Sequence, residues 1–434
     1  MKKIVSTVLV FVLCAGLCAC GGIKLPPLPT AQPAETPAPT PSAAPETPAP
    51  TPEQAEPIPG DGLKGSVIVS NRNTEKLAYD PESGEILILR FSYDSPTVII
   101  EENPAAAEKI NEFLGLREEA FYTGEDYGDG FGTGYNNMLT LAEDNYLFQT
   151  YESETEYPMY ELSSAQTVSV LRNDGRVLTL SYFESGYTGG AHGTHAERTY
   201  CFDPATGELI TLDDLSGDTA ALKSFLSGKL VEILMNDEEI QQKTYDFIDR
   251  DYLEETLATL LREGSWYLDY DGMVVFSDLY EISSYASGIV SFRIPYAQLD
   301  GHIYNRFLPK EEAAAGSFKA LDAGQMTDGS TQIVDMLKVF DGGQTVYLVA
   351  EGEVSDVHIT SVAYSAFFHD VTQLWSCSAM SDAALQLVTV IPDGMPNLKI
   401  SWRTAQGEQA CYLTQSGEDG SLILLPVETV EAVG

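Results

Sequence analysis

The chain has 434 residues, enough for two or three domains, and 44% of them are hydrophobic, enough to build more than one core. Against 24 basic residues stand 65 acidic ones, a formal charge of −41. Such a surface repels phosphate backbones and anionic head groups, which argues against nucleic acid or a bare lipid surface as partner. It attracts cationic proteins, and the same acidity also keeps an exported chain soluble.

The first 19 residues have the three parts of a secretion signal: Lys2-Lys3, an apolar run from Ile4 to Leu13, and Leu17-Cys18-Ala19 before Cys20. Small residues followed by a cysteine and Gly21-Gly22 match the lipobox of bacterial lipoproteins. Cys20 is therefore the expected diacylated N-terminus, anchoring the chain to the cell membrane on its extracellular or cell-wall side. Residues 20–60 read as a tether. Thirteen prolines between Lys24 and Gly60, and the repeat Glu35-Thr-Pro-Ala-Pro-Thr-Pro41 and Glu46-Thr-Pro-Ala-Pro-Thr-Pro52, favour extended polyproline II. At ~3.1 Å per residue such a tether reaches on the order of 100 Å.

A first α+β unit is expected over 61–165. Strands are read at Ser66–Ser70, Glu85–Phe91 and Thr97–Ile100, then a helix from Ala105 to Leu116 opened by Pro104. The Gly-, Asp- and Tyr-rich stretch Tyr122–Asn137 lacks calcium-loop spacing and reads as a surface loop. A second unit over 166–310 begins with a hairpin around Asn173-Asp-Gly175, continues with a strand from His195 to Phe202, and adds helices at Thr219–Leu234 and Asp251–Arg262. A second hairpin turns at Asp271-Gly272, and Ile289–Pro295 closes the unit.

Within this unit a series of motifs runs in order. They are Tyr187-Thr-Gly-Gly-Ala-His-Gly193, Asp203-x-x-x-Gly207-Glu with Leu212-Asp-Asp-Leu215, Phe276-x-x-x-Tyr280-Glu-Ile, Tyr285-Ala-Ser-Gly288 and Ile294-Pro-Tyr296. The series resembles the paired extracellular domains of unknown function found in the lysozyme-sensing anti-sigma factor RsiV and beside the catalytic domain of the peptidoglycan deacetylase PdaC. The resemblance spans roughly residues 65–300. It implies an α+β fold of antiparallel sheets with packed helices in two RsiV-like units, and a binding role toward lysozyme or peptidoglycan. The chain has neither the sigma-binding and transmembrane segments of the one nor the deacetylase domain of the other, so signalling and deacetylation are not implied.

Residues 315–434 lie beyond that resemblance. Short strands at Thr345–Ala350, Gln386–Ile391, Leu398–Trp402, Ala410–Thr414 and Ser421–Leu425 predict a C-terminal β-sandwich. Cys14 and Cys18 fall in the leader and Cys20 is the acylation site, so three cysteines remain: Cys201, Cys377 and Cys411. Cys377 and Cys411 pair only if their strands face each other.

The candidate ligand-contacting residues are Tyr187, Gly189, Gly190, His192, Gly193, Tyr280 and Tyr285, where glycines permit close backbone approach and tyrosines offer stacking faces. His192 and His195 could ligate a metal with Glu197 or Asp203, but strand geometry would turn the two rings to opposite sides, so no metal or other cofactor is expected. No nucleophile elbow or zinc-protease motif is present, and His302, His358 and His369 have no suggestive neighbours. The leading expectation is a non-catalytic, lipid-anchored envelope protein that recognises a cationic protein such as lysozyme, or peptidoglycan. The alternative is an envelope enzyme acting on cell-wall glycan through an acidic pair such as Asp213-Asp214 or Glu254-Glu255.

Overall fold

The computed structural model describes residues 66–124, 134–152, 161–245, 250–310, 316–326, 332–339, 343–364, 368–391, 396–415 and 421–427. The leader, Cys20 and the tether lie outside the described residues. The fold is mixed, with antiparallel-rich sheets, few helices and a strand-rich C-terminal region. Its strands are β1 (Val67–Tyr79), β2 (Leu87–Ile100), β3 (Leu162–Asn173), β4 (Leu178–Tyr187), β5 (Thr194–Phe202), β6 (Trp266–Leu268), β7 (Gly272–Phe276), β8 (Ser291–Pro295), β9 (Ser317–Asp322), β10 (Gln332–Lys338), β11 (Gln344–Glu351), β12 (Glu353–Tyr364), β13 (Phe368–Ser381), β14 (Ala383–Thr389), β15 (Leu398–Thr404), β16 (Gly407–Gln415) and β17 (Leu422–Pro426). The principal helices are α1 (Pro104–Thr123), α2 (Tyr135–Leu147), α3 (Thr219–Asn236) and α4 (Arg250–Thr259).

Ten strands form one sheet in the order β17-β16-β15-β12-β13-β1-β2-β3-β4-β5. Only the β2–β3 step in it is parallel. The join is made by β1, whose Ile68, Val69 and Ser70 pair with Cys377, Ser376 and Trp375 of β13. A four-stranded sheet, β10-β14-β11-β9, faces the C-terminal part of the large one. Val346, Leu348, Leu385 and Leu387 from the small sheet share one apolar core with Ile359, Trp375, Cys377 and Ile400 from the large one.

Several elements differ in extent from those expected. α1 runs on to Thr123 because Arg117, Ala120 and Phe121 prolong the buried stripe set by Ala106, Ile110 and Leu114; Asn103 caps its start, and Gly124 in left-handed conformation ends it. Tyr122 and Thr123 thus close a helix and Tyr135 opens another, so the loop expected there is shorter, with 125–133 outside the described residues. The two strands expected at 85–91 and 97–100 are one, β2, which passes through Pro96. Pairing with β3 stops at Tyr93–Gln166, so Pro96 falls where β2 has a partner on one side only and a missing N–H is tolerated. The Asn173-Asp-Gly175 hairpin is present, but its connection is wider than a two-residue turn because β3 ends at Asn173 and β4 begins at Leu178. The long strands β12 and β13 had no counterpart in the sequence reading. Three register shifts in β12, one beside Asp356 at φ 46°, break its alternation.

The β3–β4 connection holds a buried charge pair. Arg172, fully enclosed, bonds Asp174 at 2.8 Å, the Tyr296 hydroxyl at 2.8 Å and the Phe307 carbonyl at 2.8 Å. Asp174 also accepts from the backbone N–H groups of Arg176, Val177 and Lys310. Burial would raise this carboxyl, but Arg172 and the N–H donors outweigh it and hold it below the usual carboxylate range. A depressed folded value means that the stabilisation is fully present above the unfolded pKa of about 3.9 and is lost as pH falls through the folded one. Asp174→Asn leaves Arg172 charged and buried without its counter-ion. It is expected to destabilise the protein by about 3–5 kcal/mol in urea unfolding at neutral pH.

Cys377 and Cys411 do not face each other. They sit on β13 and β16 with β12 and β15 between them, three strand spacings or about 14 Å, where a disulfide needs Cα atoms within about 7 Å. Cys201 and Cys377 are buried, and burial pushes the Cys377 thiol up to about 11. Alkylation of the native, unreduced protein should label Cys411 first, and Cys201 and Cys377 only on unfolding; mass spectrometry finding a Cys377–Cys411 crosslink would contradict the register.

Candidate functional site

The β4–β5 hairpin is held open at its tip by backbone that only glycine adopts readily: Gly189 has φ 94° and Gly190 φ 102°. Tyr187 donates its hydroxyl to the Gly190 carbonyl at 2.9 Å, folding the tip back on itself. Gly193 is demanded by crowding, since a Cβ there would lie 2.7 Å from the Gly186 carbonyl oxygen. The tip carries His192 and, at the start of β5, His195.

Opposite it lies the connection from β7 to β8, residues 277–290. This segment is tied down at several points: Ser277 and Val290 bond through backbone and side chain, Ser283 donates to the Gly288 carbonyl at 2.8 Å, and Tyr245 N–H donates to the Ile282 carbonyl at 2.9 Å. Tyr280 holds φ 64°, a strained setting for a non-glycine residue, and is 55% exposed. Under it, Arg262 bonds both Asp278 (2.8 Å) and Glu281 (2.7 and 2.9 Å), and Arg198 from β5 reaches Asp278 at 2.6 Å. This network of two guanidinium groups and two carboxylates fastens the segment to β5.

The two segments meet in an aromatic platform. The His192 ring stacks on Tyr285 with centroids 3.9 Å apart; His195 lies 6.1 Å and Tyr280 5.9 Å from the same ring, and Phe183 of β4 stacks on His195 at 5.6 Å. His192, Phe183 and Tyr280 are exposed, and His195 and Tyr285 are half-buried. Beside the platform, Glu197 accepts from the Ser181 hydroxyl at 2.8 Å, and burial raises its carboxyl above the usual range. Chemically the arrangement offers stacking faces and imidazole hydrogen-bonding groups, with no nucleophile or oxyanion donor among them.

All seven candidate ligand residues fall on these two segments, which lie about 90 positions apart in sequence. One expectation about them is corrected. His192 and His195 do not point apart, because His192 precedes the strand that begins at Thr194, and both rings border Tyr285. Among the described residues no group of three or more His, Cys, Asp or Glu side chains is gathered for a metal ion. Of the acidic pairs, Asp214 accepts from Thr211 N–H and hydroxyl as a helix cap, and Glu254 and Glu255 face solvent on α4.

A second feature was missed by the sequence reading. Where β3 parts from β2, a cleft of about 540 Å³ opens between β3 on one side and β12, β13 and β15 on the other, with Phe183 and Tyr270 at its walls. At its floor His358 bonds Asp356 at 2.9 Å through Nε2 and the Gln373 amide through Nδ1. No local motif announces it, because its residues come from strands nearly 200 positions apart.

Residues 213–297 match the family model of a protein of unknown function, DUF3298, so the chain carries a DUF3298 domain there. That span includes α3, α4, β6 to β8 and the segment with Tyr280 and Tyr285. The chain is similar to the crystal structure of a DUF3298 family member from Bacteroides fragilis, with 19% identity, 55% of this chain and 93% of that one covered, and a TM-score of 0.40. It is also similar to a DUF3298 family protein from Pseudomonas aeruginosa, with 16% identity, 56% and 96% covered, and a TM-score of 0.36. No curated protein matches the chain.

Gly193→Val should force the hairpin mouth apart, with a loss of about 1–3 kcal/mol from overpacking. Thermal melting measures the loss, and histidine ring NMR shifts should report His192 leaving the face of Tyr285.

Proposed function

We propose that the chain is a non-catalytic, lipid-anchored binding protein of the cell envelope, and that its binding face is the platform of Phe183, His192, His195, Tyr280 and Tyr285. One observation carries this reading: two strained or glycine-dependent segments are braced so that their aromatic rings stack at the surface. Aromatic faces on a chain with formal charge −41 suit a cationic partner, through ring–cation attraction and long-range steering. The partner we infer is a cationic protein such as lysozyme, or peptidoglycan, whose sugar rings present apolar faces for stacking. Kinship with the paired domains of RsiV and PdaC, and a two-unit arrangement like theirs, belong to the same proposal, supported by the ordered motifs from Tyr187 to Tyr296. So does anchoring through diacylglyceryl on Cys20, supported by the lipobox. A glycan-cleaving role has less support, because Asp214 is engaged as a cap and Glu254 and Glu255 stand apart from the platform.

Titration of the full-length protein against lysozyme and against purified peptidoglycan, at low and at physiological salt, tests the reading. Saturable binding to one of them that survives physiological salt, and that weakens at least tenfold (about 1.4 kcal/mol) in Tyr285→Ala, is expected. Binding that disappears with salt, or that is indifferent to Tyr285, would reduce the effect to bulk charge. In cells, Cys20→Ala should abolish incorporation of labelled fatty acid.

A further inference from the structure

We propose that the cleft between β3 and β12, β13 and β15 is a second binding site, and that its ligand is an uncharged, hydroxyl-rich molecule, a short oligosaccharide. Its volume, about 540 Å³, falls within the range of about 300–1,000 Å³ usual for small-molecule sites. The width of the cleft is fixed by side chains that bridge it. From the far wall Gln373 of β13 accepts from Val170 N–H and Asp356 of β12 from Asn173 N–H, while Asp94 of β2 accepts from Val168 N–H. These bonds occupy the N–H groups that an added peptide strand would need, so strand addition along β3 is closed. The bridge also sets a tautomer: with Gln373 Oε1 accepting from Val170, its Nε2 donates to His358 Nδ1, and His358 Nε2–H donates to Asp356. The cleft is therefore held ready before any ligand arrives.

Apart from Glu408 at the rim, its charged side chains are engaged within the protein. Lys399 pairs with Asp370, the Arg403 guanidinium lies 4.0 Å over the Tyr270 ring, and Asp94 also accepts from the Asn73 amide at 2.9 Å. A charged ligand would have to displace these partners. Inside a rim that carries the exposed carboxylate of Glu408, what the walls still present is neutral: the hydroxyls of Ser169, Thr360 and Ser401, and that of Thr167, which leans on the Phe183 carbonyl, with the rings of Phe183 and Tyr270 beside them. Hydroxyls that both donate and accept, set next to flat apolar faces, match a sugar ring, which has polar edges and C–H faces.

The test is calorimetric titration of the full-length protein with chitotetraose, cellotetraose and maltotetraose. Saturable binding of at least one of them is expected. That binding should weaken about tenfold in Ser401→Ala and in Glu408→Gln, an exposed residue at the rim whose replacement leaves the strand intact, and should be unchanged in Glu254→Gln on α4. Circular dichroism establishes that each variant is folded. Absence of binding for all three oligosaccharides at millimolar concentration, or binding that neither cleft variant weakens, would overturn the proposal.

Discussion

Arg172 carries its charge where no water reaches, and the chain around it is arranged to make that tolerable. The guanidinium is answered by Asp174, a tyrosine hydroxyl and a backbone carbonyl, which accept from four of its five N–H groups. Between the two charged residues, Asn173 donates to the Val67 carbonyl and to Ser376, and its own N–H reaches Asp356. Three consecutive residues at the end of β3 thus touch β1, β12, β13 and the segment around Tyr296 to Lys310. A buried pair of this kind adds little net stability compared with an apolar replacement, but removing one partner is costly, so it enforces a single way of assembling these pieces.

That constraint positions both the platform and the cleft. β3 is fixed against β13 at one end, which opens the cleft where it leaves β2. β4 and β5, following directly, carry Phe183 and the histidines toward the DUF3298 segment. The platform then depends on a second charged network, Arg198 and Arg262 with Asp278 and Glu281, which is partly open to solvent and so is held more by geometry than by large energies. Phe183 borders both surfaces, stacking on His195 and lining the cleft.

Sequence reasoning picked out the two segments that meet in the platform, without Phe183, and missed the cleft, for a physical reason in each case. Glycines at 189, 190 and 193 and clustered tyrosines are local signals, because the turn they build is local. What was not legible was their meeting, which depends on strand pairing across the β7–β8 connection. Asp94, Asp356, His358 and Gln373 carry no local pattern at all; each reads as an ordinary polar residue until the strands converge. Bulges in β12 erased its period-two alternation, so a fourteen-residue partner, β13, also went unread. The helices were clearer, since stripes such as Leu222, Leu226 and Leu230 bury one face of α3. The resemblance to paired extracellular domains drew attention to the turn at Tyr187 to Gly193, while the match that residues 213–297 show is to DUF3298 alone.

A partner of this protein is expected to land on the platform. Hydrogen–deuterium exchange of the full-length protein, alone and with saturating lysozyme or solubilised peptidoglycan, measures this directly. Protection confined to residues 187–195 and 278–288 is the predicted result. Unchanged exchange in both segments, with protection appearing elsewhere or nowhere, would contradict the assignment of this surface as the binding face.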